Sequence, residues 1–358
     1  SIVWFTDNLR VRDNFVLSAA MKASRRVIGV YFLTPEMFNE TQFGFKKTEK
    51  FRAKFLLQTL SDLESELDAL NISLLVFNTT NENQMRELVK KYDVKAVYHQ
   101  KEWTEEEVKK IDSLKKCLPA NVSIHEYYDQ FLFHPDDVTF HYSETPKIFT
   151  QFRKQLEKKA LVRSLIFVQP QELSSKVKTD FKLPTLEQLG FENFEIDSRT
   201  AFPFTGGSVA ADQRLNHYFF KTQSIGVYKK TRNGLLGENY SSKFSPWLAN
   251  GSLSARQIYW KVKAFEEQFY ANQSTYWLIF ELIWRDFFKY ISLKNGNAIF
   301  KLKGILNNVY DWSKNSKLIK EWTDGSTADD FVNANMIELK NTGWMSNRGR
   351  QNVASYFA

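Results

Sequence analysis

The sequence predicts an α/β domain, built on a parallel sheet with helices on both faces, followed by an all-α domain. Three observations carry this. Over roughly the first 130 residues, short β-rich runs alternate with amphipathic helical stretches, the pattern of consecutive βαβ units. From Gly206 onward the strand-like alternation stops and apolar residues recur at three- and four-residue steps. A length of 358 residues with 43% hydrophobic content is enough for two cores.

The first run, Ile2 to Phe5, turns polar at Thr6-Asp-Asn and leads past Arg10 and Arg12 into a helical stretch. Further β-rich runs lie at 26–33, 72–77, 95–99 and 122–125, with amphipathic helical stretches at 48–70, 84–92 and 105–118. No G-x-G-x-x-G follows the first run, so the dinucleotide fingerprint is missing. In open parallel sheets ligands sit beyond the carboxyl ends of the strands. Lys101, Glu102 and Trp103 follow the fourth run directly and are expected on that rim.

The expected domains are residues 1–130 (α/β), 131–200 (an interdomain connector, partly packed) and 201–358 (helical). Proline, aspartate and lysine cluster in the connector at Pro135-Asp-Asp, Thr145-Pro-Lys and Val168-Gln-Pro, around one helical stretch at 149–161. His134 and His141 lie there with no second ligand pair at metal spacing, so the five histidines read as structural or surface residues and no metal site is expected. Neither a serine elbow nor a cysteine nucleophile is evident. Cys117 is the single cysteine, which rules out an internal disulfide and fits a reducing compartment. In the last part helical periodicity covers 210–221, 254–270 and 275–293, and Trp312 and Trp322 flank a polar helix.

Two motifs between residues 228 and 290 concentrate the chemistry. In the first, Ser241, Ser242, Lys243 and Ser245 precede Pro246 and an apolar run. Hydroxyls ahead of a proline mark a helix start, and with a lysine beside them they can hold an anion. A capped helix and nothing more is the plainer reading. In the second motif Trp277, Phe280, Glu281, Trp284, Arg285 and Phe288 share one helical face. The aromatics alone would be ordinary core, with the two charges pairing along the helix. Mixed with Glu281 and Arg285, they read as a partly wet pocket for a planar ligand. Aromatic content of 15% supports such a pocket. A net charge of +8 and pI near 9.2 favour a polyanionic partner such as nucleic acid.

These strings resemble the photolyase/cryptochrome family, and its cryptochrome DASH branch in particular. The likeness rests on T-R-N-G-L-L-G, Y-S-S-K-F-S-P-W-L-A, S-T-Y-W-L-I-F-E-L-I-W-R-D-F-F, and N-A-N-M with T-G-W-M-S-N-R-G-R-Q-N-V-A-S, and it covers nearly the whole chain. The opening V-W-F-T-D-N-L-R-V-R-D-N and the loop Gly206-Gly-Ser-Val-Ala-Ala-Asp are similar to family signatures as well. The resemblance implies that residues 201–358 form a helical FAD-binding domain, with Tyr228, Ser241, Ser242, Lys243, Phe244, Ser245, Arg285, Asn347 and Arg350 around the flavin. It implies catalytic roles for Glu281, Trp284, Asn347 and Gln351, with Glu281 on the edge of a pyrimidine dimer and Trp284 stacked on an extruded base. Trp312 becomes a candidate for the surface end of an electron relay. Glu102 has two readings, a solvated loop carboxylate or a contact to a methenyltetrahydrofolate antenna. The family continues past the residues matching Tyr356-Phe-Ala, and with that part come an aspartate partner for Arg350 and two more relay tryptophans, so the chain is expected to be C-terminally truncated.

The function expected first is light-driven splitting of cyclobutane pyrimidine dimers, with single-stranded DNA preferred because Gln351 stands where duplex-competent photolyases tend to carry methionine. The alternative is a blue-light photoreceptor or DNA-binding transcriptional regulator with little repair. A flavin-binding helical protein of unrelated redox chemistry is the third reading, and the length of the matching strings argues against it. A monomer is expected, without a membrane span. Residence in the cytoplasm is expected, or in an organelle if a leader has been removed.

Overall fold

Runs rich in Val, Ile, Leu and aromatic residues on both faces can be buried only if helices cover both sides of the sheet. In the computed structural model, which describes residues 1–79, 81–179 and 181–358, such runs form β1 (Ile2–Trp4), β2 (Ile28–Phe32), β3 (Leu74–Phe77) and β4 (Ala96–Gln100), and a more polar, half-buried edge strand, β5 (Ser123–Tyr127), completes the sheet. They make one parallel sheet in the order β3-β2-β1-β4-β5. Alternate side chains go to opposite faces. Val3, Tyr31, Leu74 and Tyr98 pack with α1 (Phe15–Ala23) and α2 (Lys50–Asp68), while Ile2, Trp4, Val30 and Val97 pack with α3 (Asn81–Lys91) and α4 (Glu105–Cys117). Asn14 caps α1 by accepting from the Leu17 amide at 2.9 Å.

Residues 131–200 divide their packing between the two cores. Phe131 to Phe133 and α5 (Phe149–Lys159) join the core of the helical domain through Phe149, Phe152 and Leu156. Leu186, Leu189 and Phe191 join the sheet core beside α2. The expected helix over 210–221 is α6 (Ser208–Asn216) continued by a π-helical turn, His217–Lys221. There follow α7 (Tyr228–Thr231), α8 (Ser245–Asn250), α9 (Ala255–Gln268), α10 (Gln273–Asn295), α11 (Ser316–Asp324), α12 (Asp330–Thr342) and α13 (Asn347–Phe357). Capping boxes, Ser254 with Gln257 and Asn272 with Thr275, start α9 and α10. Trp322 does not flank the polar helix as expected. It lies within α11, where its indole N–H donates to the Val353 carbonyl at 3.1 Å and its ring packs on the small core of α12 and α13. Among the described residues no helix is long and apolar enough to cross a membrane, and no group of three or more His, Cys, Asp or Glu is placed to hold a metal ion.

The two domains are joined by a buried charge cluster. Arg10 donates to Asp129 Oδ2 at 2.6 Å and to the Gly251 carbonyl at 3.0 Å. Arg256, on α9, donates to Asp13 Oδ2 at 2.9 Å and Asp129 Oδ1 at 2.8 Å, and the Ser254 hydroxyl adds a bond to Asp13. All four charged side chains are at most 3% exposed. Gly251 sits against the loop after β1 at φ 72°, where a Cβ would lie 2.0 Å from the Asp7 carbonyl oxygen, so only glycine permits this approach.

Removing one cation from such a cluster leaves buried carboxylates short of a partner, at about 3–5 kcal/mol. Arg256→Met is expected to lower unfolding free energy by about that amount in urea titrations followed by far-UV circular dichroism.

Candidate functional site

The hydroxyl motif forms the loop entering α8. The loop is pinned from behind by Arg214 of α6. That guanidinium, 2% exposed, donates to the carbonyls of Glu238, Ser241 and Ser242 at 2.9–3.1 Å and to Asn239 Oδ1 at 2.8 Å. Burial pushes its pKa down to about 10. Helix α8 begins at Ser245 with Pro246 in its first turn, and no side chain caps it. The serine hydroxyls are thus not spent on capping, contrary to the simple helix-start reading of this motif.

Ser241, Ser242, Lys243, Phe244 and Ser245 line a cavity of about 820 Å³ between the domains, a size suited to a large ligand. Tyr228 and Glu281 form part of its wall, and Asn347 and Arg350 reach it from the first turns of α13. These are the residues that the sequence singles out and the fold brings together. Lys243 adopts φ 64°, a left-handed conformation that a non-glycine residue rarely takes. Its side chain is 2% exposed, and its ammonium has no hydrogen-bond partner. The nitrogen lies 3.4 Å from the Tyr240 ring centroid and 4.6 Å from that of Trp344. Burial, with Arg214 adding repulsion, pushes the Lys243 pKa down to about 7.

Glu281, half-buried on α10, pairs with Arg232 at 2.7 Å. Burial raises its pKa above the usual carboxylate range and Arg232 opposes this. The face of α10 that carries it differs from a core stripe. Leu278, Leu282, Ile283 and Phe287 are buried on the other side, whereas Trp277, Phe280, Glu281, Trp284 and Arg285 are half-buried and Phe288 is exposed.

The remaining predicted residues lie outside the cavity lining. Trp284 stacks face to face on Phe149, with centroids 3.6 Å apart and planes 8° from parallel. Arg285 turns to backbone carbonyls, donating to Gln130 at 2.7 Å. Gln351 is exposed and accepts from Arg348 at 3.0 Å. Trp312 is 46% exposed beside Tyr310. Glu102 follows β4 and accepts from Gln100 Nε2 at 2.6 Å. Burial and the nearby Asp7 raise its pKa, and burial lowers that of Lys289 close by.

Sequence reasoning passed over Arg232 and Arg214, although Arg232 lies inside the T-R-N-G string. It also missed the wall contributed by the sheet domain, where Asp7, Phe51, Arg52 and Phe55 line the cavity. Nothing in the spacing of α2 signals that its first turns face a second domain.

Comparison with known proteins places the chain among relatives. Residues 1–173 match the DNA photolyase family, and residues 277–358 match the FAD binding domain of DNA photolyase. Cryptochrome DASH of Gloeobacter violaceus is 40% identical over 357 residues, covering 99% of this chain and 71% of that protein. The crystal structure of the Synechocystis sp. PCC6803 cryptochrome, 40% identical, superimposes with a TM-score of 0.94 over 99% of this chain and 74% of that one. A class III photolyase from Agrobacterium tumefaciens, 23% identical over 99% of this chain and 71% of its own, shares the fold with a TM-score of 0.81.

FAD, the group these matches imply, fits the residues present. A buried ammonium without a protein acceptor, beside three serines that cap nothing, is the donor set a pyrophosphate requires. Ser241→Ala with Ser245→Ala is expected to reduce flavin occupancy of the purified protein, since each unsatisfied phosphate contact costs about 1–3 kcal/mol. Absorbance at the flavin band against protein concentration measures it, and unchanged occupancy would place the cofactor elsewhere.

Proposed function

We propose a function from one established premise: the chain belongs to the photolyase/cryptochrome family. The reading is an FAD-dependent blue-light flavoprotein that splits cyclobutane pyrimidine dimers in DNA by light-driven electron transfer, preferentially in single strands. The observation that carries it is Glu281, a half-buried carboxyl on the wall of the cavity that the hydroxyl loop also lines. FAD held there would supply the light-excited electron that opens the dimer and would receive it back.

The protein's own part is placement and polarity. Arg232 holds one side of the Glu281 carboxylate and leaves the other oxygen to accept a hydrogen bond from the N–H edge of a pyrimidine. Asn347 offers an amide from the same cavity. Stacking on Phe149 fixes the plane of Trp284 before any base arrives, and base stacking on an aromatic is worth about 1–3 kcal/mol. Extruding a dimer from duplex costs a few kcal/mol in pairing and stacking, and least in single strands. Gln351, a polar amide already bonded to Arg348, offers little apolar contact to offset that cost. The +8 charge attracts phosphates of either form. Trp312, exposed at the surface, is the proposed outer end of the relay that reduces the flavin.

Illuminated protein should repair a dimer in oligo(dT) and act weakly on the same lesion in intact duplex at one salt concentration. Glu281→Ala should keep the flavin spectrum while slowing repair about tenfold or more, as loss of one preorganised electrostatic contact does. Flavin without repair in the parent protein would select the photoreceptor or regulator reading. Equal rates on both DNA forms would remove the single-strand preference.

A methenyltetrahydrofolate antenna is proposed at Glu102. It lies just beyond β4, next to β1 at the point where strand order reverses, the crevice in which such sheets bind ligands. Glu102→Gln is expected to lower the amount of pterin released on denaturation, measured by fluorescence, with flavin content unchanged. Equal pterin content would return Glu102 to the reading of a loop carboxylate with no ligand role.

A further inference from the structure

One buried group is left unexplained by packing. Lys243 is almost fully buried, is held in a left-handed backbone conformation and has no hydrogen-bond acceptor for its ammonium. The charged groups around it do not supply one. Arg214 approaches from α6 with like charge, while Glu238 of the same loop and Glu338 of α12 act on it only from a distance. Arg350 of α13, Arg232 and Glu281 line the same cavity, and the last two are paired with each other. The faces of Tyr240 and Trp344 offset part of the cost of a buried cation. A buried amine in such surroundings sheds its proton rather than remain an unpaired charge.

We infer that Lys243 is a proton-linked anchor: it is largely neutral at mildly alkaline pH without a bound anion, and takes up one proton when a pyrophosphate group enters beside Ser241 and Ser245. This rests on the flavin-site reading and deepens it, because loading of the cofactor becomes a proton-coupled step set by one side chain. The depressed pKa of the lysine, about 7, agrees with the geometry. A dianionic neighbour favours the charged form and returns the pKa toward the usual lysine value.

A group whose pKa rises on binding takes up protons between its free and bound values, so affinity is greatest below about pH 7 and weakens above it. FAD, ADP, inorganic pyrophosphate and riboflavin are titrated calorimetrically into the flavin-stripped chain at pH 8, in two buffers of different ionisation enthalpy. The phosphates of FAD and ADP are already ionised there, so any uptake seen with these two belongs to the protein. FAD and ADP should take up about 0.9 proton each and bind about tenfold more weakly per pH unit above 8. Riboflavin should take up none. Lys243→Arg keeps a permanent charge and should bind FAD without proton uptake, whereas Lys243→Met should lose both uptake and most affinity. FAD binding without proton uptake in the parent chain, or uptake that survives in Lys243→Arg, overturns the inference and leaves the flavin reading intact. Pyrophosphate binding with uptake, but no binding of FAD, would sustain the anchor and sink the flavin reading. Absence of binding by every phosphate ligand overturns both.

Discussion

The rest of the structure depends on the buried cluster of Arg10, Asp13, Asp129 and Arg256. Two guanidiniums and two carboxylates balance their charge, and each carboxylate is met by more than one donor. Such a cluster is tolerated in low dielectric only when it is complete. Its members come from the loop after β1, the segment after β5 and the start of α9, so completing it fixes the sheet domain against the helical domain. Gly251 and the carbonyl it presents to Arg10 bring the end of α8 onto the same loop. The wall of α2 and the hydroxyl loop can then face each other across one cavity.

Within that frame, two arginines divide the labour. Arg214 is spent on backbone carbonyls and holds the shape of the loop from Glu238 to Ser242. Arg232 is spent on the Glu281 carboxylate. Lys243 is a buried cation of this region left without an acceptor among the described residues. Its left-handed backbone and its burial between two rings keep the amine inside the wall, where solvent cannot stabilise its charge. Structural demands explain Arg214, and an ion pair accounts for Arg232. Lys243 is met only by the faces of Tyr240 and Trp344.

The helix α10 shows how much of a site can be read locally. Its three- and four-residue spacing places Glu281 and the aromatics on a face distinct from the buried stripe of Leu278, Leu282, Ile283 and Phe287. The reading of that face as a partly wet surface rests on charges a core would exclude. What each side chain then does was not legible. Trp284 stacks on Phe149 of α5 and Arg285 bonds to the Gln130 carbonyl, partners far away in the chain with no spacing rule to announce them. The segment read as a connector similarly contributes Phe152 to one core and Leu186 to the other.

Sequence by itself determined the alternation of strands and helices, the change to helix after Gly206, and the residue types gathered in the two motifs. Those features are local: side-chain periodicity and helix-start chemistry act over a few residues and leave their mark in order of sequence. Tertiary structure alone decided that α2 of the first domain would wall the cavity, that Arg214 would hold the loop, and that Lys243 would be buried without an acceptor. Burial and pairing depend on which distant groups share a volume, and the protonation of a lysine follows from that surrounding rather than from its neighbours in the chain.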